Sequence, residues 1–371
     1  MNEKLSEMNI LIQLSHPAHF HLYKNVVKNL QADNHKVFIV IKTKDILEDL
    51  LKQANLSYYN ILPVEKRRNK FDVFWSMLIK DFRILKFCIK HKIDFLTGST
   101  PEVAHVSWLL RRFSANTAED DMAVIPVWAK VTGPFVQTIL SPEVCDNGKL
   151  NTKSVKYNSY HELTYLHPNH FTPDKSVVEK YFPAEKPYFI IRFAKLNAHH
   201  DSGIQGINTE IAQKIIDILK PHGDIYITSE RELEPQFEQY RIKINPLDMH
   251  HVMAFAQLYI GDSQTMAAEA GVLGVPFVRF NDFVGRIGYL RELEDYYNLG
   301  YGIKTNELGR LYSTITELVT MENRQEVFQE RRKKMLSEKI DYAKFLTWFI
   351  ENYPKSKKIM RENPDYQYNF K

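Results

Sequence analysis

Residues 258–280 read LYIGDSQTMAAEAGVLGVPFVRF. The apolar run ending at Gly261 predicts a buried strand, and Asp262 and Ser263 behind it are both good N-caps for a helix. The amide groups of such a first turn have no partner within the helix, and the helix dipole lies behind them. Together they make a site for a phosphate or diphosphate. Ser263, Gln264 and Thr265 add side-chain donors to that turn. Helical spacing puts Asp262, Thr265 or Met266, and Glu269 on one face. A carboxylate a turn and a half beyond bound phosphates is placed to accept hydrogen bonds from ribose hydroxyls, as in dinucleotide folds. Gly271 and Gly274 permit close helix–strand packing, and Pro276 opens the next strand.

Outward from this stretch the chain alternates. A strand over 8–14, a polar turn over 15–19 and a helix through Leu22, Val26, Val27 and Leu30 are followed by a strand at 36–41 and a helix at 46–54. A short strand at 58–62 precedes a long amphipathic helix at 71–91, and a strand at 93–97 ends on Gly98-Ser99-Thr100-Pro101. The pattern is less regular through about 168. It restarts with a strand at 188–193, a helix at 209–219, a strand at 224–228 and a helix at 249–256. Strands alternating with helices, twice over, predict an α/β protein with two parallel sheets, because a parallel strand pair needs a crossover. Prolines 173, 183 and 187 suit a linker. The expected organisation is an N-terminal Rossmann-like domain over 1–180, a C-terminal one over 181–335, and a closing segment over 336–371. That segment would carry a helix back toward the N-terminal domain and end in a polar tail, its last dozen residues disordered. In such sheets ligands bind beyond the carboxyl ends of the strands.

Composition sets the frame for this. The 371 residues are 44% apolar and 25% charged, ordinary for a globular protein, and suffice for two cores. Cys88 and Cys145 lack metal-ligand spacing, which fits a reducing compartment. With no cleavable leader pattern and no apolar run long enough to cross a bilayer, a cytoplasmic location is expected. The net charge is +4, yet Lys66, Arg67, Arg68 and Lys70 lead into Lys80, Arg83, Lys86, Lys90 and Lys92. No nucleic-acid motif accompanies them, so nucleic acid is not expected as a partner. Residues 66–92 interleave these cations with Phe71, Phe74, Trp75, Phe82 and Phe87, a pattern that fits peripheral contact with anionic lipid at the inner face of a membrane. It fits equally an amphipathic helix packed on the sheet with solvated cations.

The segment GDSQTMAAEAGVLGVPFV resembles the nucleotide-sugar motif of GT-B glycosyltransferases and of non-hydrolysing UDP-N-acetylglucosamine 2-epimerases. SHPAHFHLYKNVV near the N-terminus, the turn at 246–250 and FVGRIGYLRELEDYYNLGYG resemble a bacterial and archaeal GT-B-like family. The resemblance implies two Rossmann-type parallel-sheet domains facing a central cleft. It also implies a nucleotide-diphosphate sugar as donor, most simply a UDP-sugar, with no tightly bound cofactor and no metal. By position, Ser263, Gln264 and Thr265 would hold the diphosphate, with Asp262 beside them, and Glu269 the ribose.

The reaction is less legible than the donor. His16 and His19 follow the first strand, and either could take a proton from an acceptor hydroxyl. His19 matches the GT-B first-loop histidine by position. Glu119 and Asp120, with Asp121, are the alternative base, and Glu102 and Glu143 add further acids. Arg192 and Lys195 could neutralise a departing diphosphate. His199-His200-Asp201 lacks the spacing of a metal site. Ser229 to Arg231, Asn281 and Asp282 follow strands and could touch the donor sugar or simply make turns. The expected activity is sugar transfer to a cell-surface glycan or its lipid-linked precursor. A sugar-nucleotide 2-epimerase and a non-catalytic sugar-nucleotide-binding protein are the alternatives.

Overall fold

The computed structural model describes residues 7–42, 46–62, 70–183, 185–194 and 206–371. The chain divides into two compact units, one of Met1–Tyr165 with Ile340–Lys371, the other of Leu166–Lys339.

The first unit opens with β1 (Asn9–Leu14), α1 (Pro17–Ala32), β2 (Lys36–Lys42), α2 (Leu47–Gln53), β3 (Tyr58–Leu62) and α3 (Lys70–His91). It continues with β4 (Phe95–Gly98), α4 (Pro101–Leu110), β5 (Phe113–Thr117), α5 (Pro126–Thr132), β6 (Ile139–Pro142) and β7 (Ser154–Tyr157). The seven strands form one parallel sheet in the order β3-β2-β1-β4-β5-β6-β7. Strands covered on both faces read as apolar runs, and Ile10, Leu11 and Ile12 of β1 are fully buried. One face of the sheet is closed by α3 and α4, where Leu11, Val40 and Leu96 pack on Ile84, Phe87, Val103 and Val106. The irregular stretch of sequence resolves into α5 at Pro126–Thr132 and a β6 that starts only at Ile139.

The second unit contains α6 (Lys175–Val178), β8 (Tyr188–Phe193), α7 (Thr209–Leu219), β9 (Asp224–Ser229), α8 (Met249–Ala254), β10 (Leu258–Gly261) and α9 (Gln264–Val272). It ends with β11 (Phe277–Phe280), α10 (Gly288–Arg291), a π-helical turn at Glu292–Tyr296, β12 (Gly300–Ile303), α11 (Leu308–Thr320) and α12 (Arg324–Glu338). Its five strands are parallel, in the order β12-β11-β10-β8-β9. The division falls at Leu166 rather than at 181. The intervening segment is tied into the second unit: Tyr181 donates to Asp248 Oδ2 at 2.8 Å and the Asp174 amide to His251 Nδ1 at 3.0 Å.

The chain re-enters the first unit through α13 (Tyr342–Glu351) and α14 (Lys355–Glu362). Asn29 of α1 donates to Thr347 Oγ1 at 3.2 Å, and the Tyr342 ring stacks on Tyr157 at 3.9 Å. The polar tail is ordered, against the expectation from its composition. Its aromatic rings supply the packing that charge counting overlooks: Tyr366 stacks on Trp348 at 4.9 Å and Phe370 lies 5.7 Å from Phe345. Gln367 accepts the Asn158 amide at 2.6 Å and donates to Glu143 at 2.9 Å.

Candidate functional site

In the second sheet β8 is laid down first, with β9 added on one side and β10 on the other. Connections that leave β8 and β10 toward opposite faces open a crevice at the carboxyl ends of those two strands, where open α/β sheets bind ligands. Asp262 sits at that point, 2% exposed. Its Oδ1 accepts the Ala194 amide at 2.6 Å, which ties the end of β10 to the end of β8. Burial pushes the Asp262 carboxyl up to about 6, against the lowering effect of the Ala194 amide and of Arg231. Only glycine serves at 261, because a Cβ there would lie 2.6 Å from the Tyr259 hydroxyl and 2.9 Å from the Arg192 carbonyl oxygen.

Ser263 is the N-cap of α9, and its hydroxyl accepts the Met266 amide at 3.5 Å. Gln264, Thr265 and Met266 form a half-buried first turn, in which the Gln264 and Thr265 amides are those a helix leaves for a ligand. One and a half turns on, Glu269 is 5% exposed and its Oε1 lies 2.9 Å from Nε2 of His250, on α8. Glu269 is therefore no solvated surface acid. This bond from a neighbouring helix orients the Glu269 carboxylate.

Below this edge runs a buried polar chain that the sequence did not reveal. Arg279, 0% exposed on β11, donates through Nε to Glu294 Oε1 at 2.9 Å and through Nη1 to Asn281 Oδ1 at 3.4 Å. Asn281 donates in turn to the Asp262 carbonyl at 3.0 Å and accepts the Phe283 amide at 2.9 Å. Asn281 thus braces the motif from below, and Asp282 bonds to Thr305. Burial raises the Glu294 carboxyl even with the Arg279 guanidinium beside it. The available signal was an arginine inside an otherwise apolar strand, FVRF, which demands a buried acid.

Arg192 pairs with Glu230 at 2.5 Å, and its Nε is buried without a hydrogen-bond partner. Arg231 donates to the Ile207 carbonyl at 2.6 Å, and Ser229 closes a local turn with it. Lys195, His199, His200 and Asp201 lie outside the described residues.

In the first unit the equivalent switch point lies between β1 and β4. His16 is the exposed N-cap of α1, its Nδ1 accepting the Ala18 amide at 3.2 Å. His19, half-buried, accepts the Ser15 amide on Nδ1 at 3.3 Å. A neutral imidazole that accepts on Nδ1 carries its proton on Nε2. Four residues on, the Tyr23 hydroxyl lies 2.9 Å from Thr97 Oγ1 and 3.3 Å from Thr117 Oγ1, which leads to Glu119.

Glu119 is brought together with His161 and Glu162 rather than with its sequence neighbours. Its Oε1 accepts the His161 amide at 2.8 Å and its Oε2 lies 3.2 Å from His161 Nδ1. Burial, with the Glu162 carboxyl beside it, holds Glu119 well above the usual carboxylate range. Burial also pushes the His161 imidazole down to about 3, so the ring is neutral, donates from Nδ1 and keeps Nε2 as a buried acceptor with no hydrogen-bond partner. Asp120 is half-buried, while Asp121 accepts the Asp146 amide at 2.9 Å. Glu102 is buried against Lys80 at 3.1 Å. His161 and Glu162 were missed because they lie some 40 residues from Glu119 in a loop-rich stretch without periodicity.

A family model described as "Protein of unknown function (DUF354)" matches residues 8–341. The chain belongs to this DUF354 family. No curated protein matches the DUF354 chain by sequence. Among solved structures it is similar to a UDP-GlcNAc 2-epimerase from Methanocaldococcus jannaschii in complex with UDP-GlcNAc and UDP: TM-score 0.61, 14% identity, 88% of this chain and 99% of that one. It is also similar to a UDP-GlcNAc 2-epimerase from Neisseria meningitidis bound to UDP-GlcNAc (TM-score 0.59, 13% identity, 88% and 100%). A spinosyn forosaminyltransferase is similar over 93% of this chain and 100% of its own (TM-score 0.60, 13% identity). These likenesses establish a GT-B-like fold for this DUF354 protein, with two Rossmann-type sheets of seven and five strands.

Proposed function

We propose that the chain is a glycosyltransferase that moves a sugar from a nucleotide diphosphate, most simply UDP, to a cell-surface glycan or its lipid-linked precursor. The observation that carries the reading is the switch point at β8 and β10, where the start of α9 and the buried, His250-oriented Glu269 coincide. In this reading the amides and side chains of Ser263, Gln264 and Thr265 hold the diphosphate, and Glu269 accepts the ribose hydroxyls. Arg192 and Lys195 offset the charge that develops as the anomeric C–O bond breaks and the nucleotide leaves with the bonding pair. Glu119, its carboxyl raised by burial and by the neighbouring Glu162, and bonded to His161, takes the proton of the acceptor hydroxyl as its oxygen bonds to the anomeric carbon. His19, and beside it His16, donate hydrogen bonds from Nε2.

A second reading is a sugar-nucleotide 2-epimerase. The observation favouring it is the cluster of Glu119, Glu162 and His161, which offers several proton-handling groups in one place. One incubation separates the two. UDP released from a UDP-sugar only when acceptor is added supports transfer, and an epimerised UDP-sugar formed without acceptor overturns it.

A further inference from the structure

On the first unit α3, α4 and α5 frame an open cavity of about 570 Å³ whose walls include Leu78, Phe82, Leu85, Trp108, Leu109 and Phe135. Its polar wall groups answer each other: His105 Nδ1 lies 2.9 Å from Asp81 Oδ2, and His105 Nε2 lies 3.0 Å from the Val131 carbonyl. Apart from Lys130, what remains is apolar, and its rim stands in solvent, with Phe82 66%, Leu109 59% and Trp108 56% exposed. The apolar face continues along α3 through Trp75 and Ile79 and reaches Val127 on α5. Apolar residues gathered this way mark an interaction surface, whereas scattered ones mark nothing.

The charge around the groove selects the partner. Arg83, Lys86, Lys90, Lys92, Arg111, Arg112 and Lys130 are exposed on these elements and the turns beside them. Among the described residues of α3, α4 and the turn after α3, the acids do not balance them: Asp81 is paired with His105, Glu102 is buried against Lys80, and Asp94 lies 3.9 Å from Arg112. A second copy of this face would bring like charges together across a twofold axis, which is unfavourable. A surface that is anionic outside and hydrocarbon within complements both features.

We propose that this groove seats an acyl chain of an anionic phospholipid membrane, with Phe82, Trp108 and Leu109 below the headgroups and the surrounding lysines and arginines upon them. Aromatic and aliphatic side chains ringed by cations are the build of proteins that lie on such a surface. The inference goes beyond the sugar-transfer reading and stands apart from it, since it needs no nucleotide.

The test uses the full chain and two vesicle preparations, phosphatidylcholine alone and phosphatidylcholine mixed with phosphatidylglycerol. The chain is expected to sediment with the anionic vesicles, about tenfold less with the neutral ones, and less again as salt rises. The pair Phe82→Asp and Leu109→Asp replaces two exposed side chains, so an unchanged Tm is expected beside a loss of about tenfold or more in vesicle binding. Acyl-brominated lipid should quench the tryptophan fluorescence, and by a smaller fraction in Trp108→Phe. Equal binding to both vesicle types, or binding untouched by the paired substitution, overturns the proposal. So does a dimer in sedimentation velocity that the paired substitution abolishes, with no vesicle binding, since that seats a second copy in the groove. UDP binding by calorimetry, read separately, distinguishes failure here from failure of the nucleotide reading.

Discussion

Nε2 of His250 lies 2.9 Å from Oε1 of Glu269, with both residues at most 5% exposed. The pair fixes a carboxylate on α9 from a neighbouring helix, so Glu269 is held before any ligand arrives. His250→Leu removes this hydrogen bond from a buried carboxylate, at a cost of about 3 kcal/mol. His250→Gln keeps a donor near the Nε2 position and should restore most of it. Urea denaturation of the two variants checks this, and equal losses would contradict the role given to the bond.

Under the proposed function, Asp262 is expected to make nucleotide-sugar affinity depend on pH. Its carboxyl is raised from 3.8 to about 6, so the folded chain holds a proton that the unfolded chain has released, and this group's contribution to stability falls as pH rises between those values. A diphosphate diester nearby carries fixed negative charge and favours the protonated form further. UDP-sugar affinity should therefore rise about threefold to tenfold from about pH 8 to about pH 6. Asp262→Asn should flatten the profile in calorimetry at the two pH values.

In the proposed transfer reaction Glu119 and His161 are expected to act on turnover rather than on nucleotide binding. Glu119→Gln should lower kcat by about a hundredfold or more with UDP affinity unchanged. His161→Asn keeps a donor where Nδ1 stood and should cost less. A Glu119→Gln variant with full kcat on the accepted substrate would remove Glu119 from the chemistry.

The chain from Arg279 to Glu294 is a stability element. Arg279→Met alone strands a buried carboxyl and should cost about 3 kcal/mol or more, whereas Arg279→Met with Glu294→Leu should recover much of that. Gly302→Ala disturbs the same pair, because its Cβ would lie 2.5 Å from the Glu294 carboxylate. Thermal unfolding of the three variants checks the order.

The fold was legible because parallel strands buried on both faces leave apolar runs, and helices between them leave a different period. NILIQL, YFIIRF and LYIG sit where those runs placed them. The helix start was legible to within one residue, Asp262 or Ser263, since capping is local, and the cap is Ser263. Pairings across sequence were not. Nothing in the residues near Glu269 announces His250, and nothing near Glu119 announces His161, because tertiary contact alone joins them. The tail misled for a related reason: its charges suggested disorder, while Trp348, Tyr366 and Phe370 pack as rings. The tautomers of His16 and His19 likewise needed the backbone amides that their Nδ1 atoms accept.

The proposed function requires a nucleotide diphosphate bound at the start of α9 with its ribose on Glu269. Calorimetric titration of UDP into the wild-type chain and into Glu269→Gln tests this most directly, since glutamine retains an oxygen for His250 and keeps the fold. Saturable one-to-one binding to the wild type and about tenfold weaker binding to the variant are expected, with the two Tm values close. No UDP binding by the wild type, or equal affinity in Glu269→Gln, would contradict it.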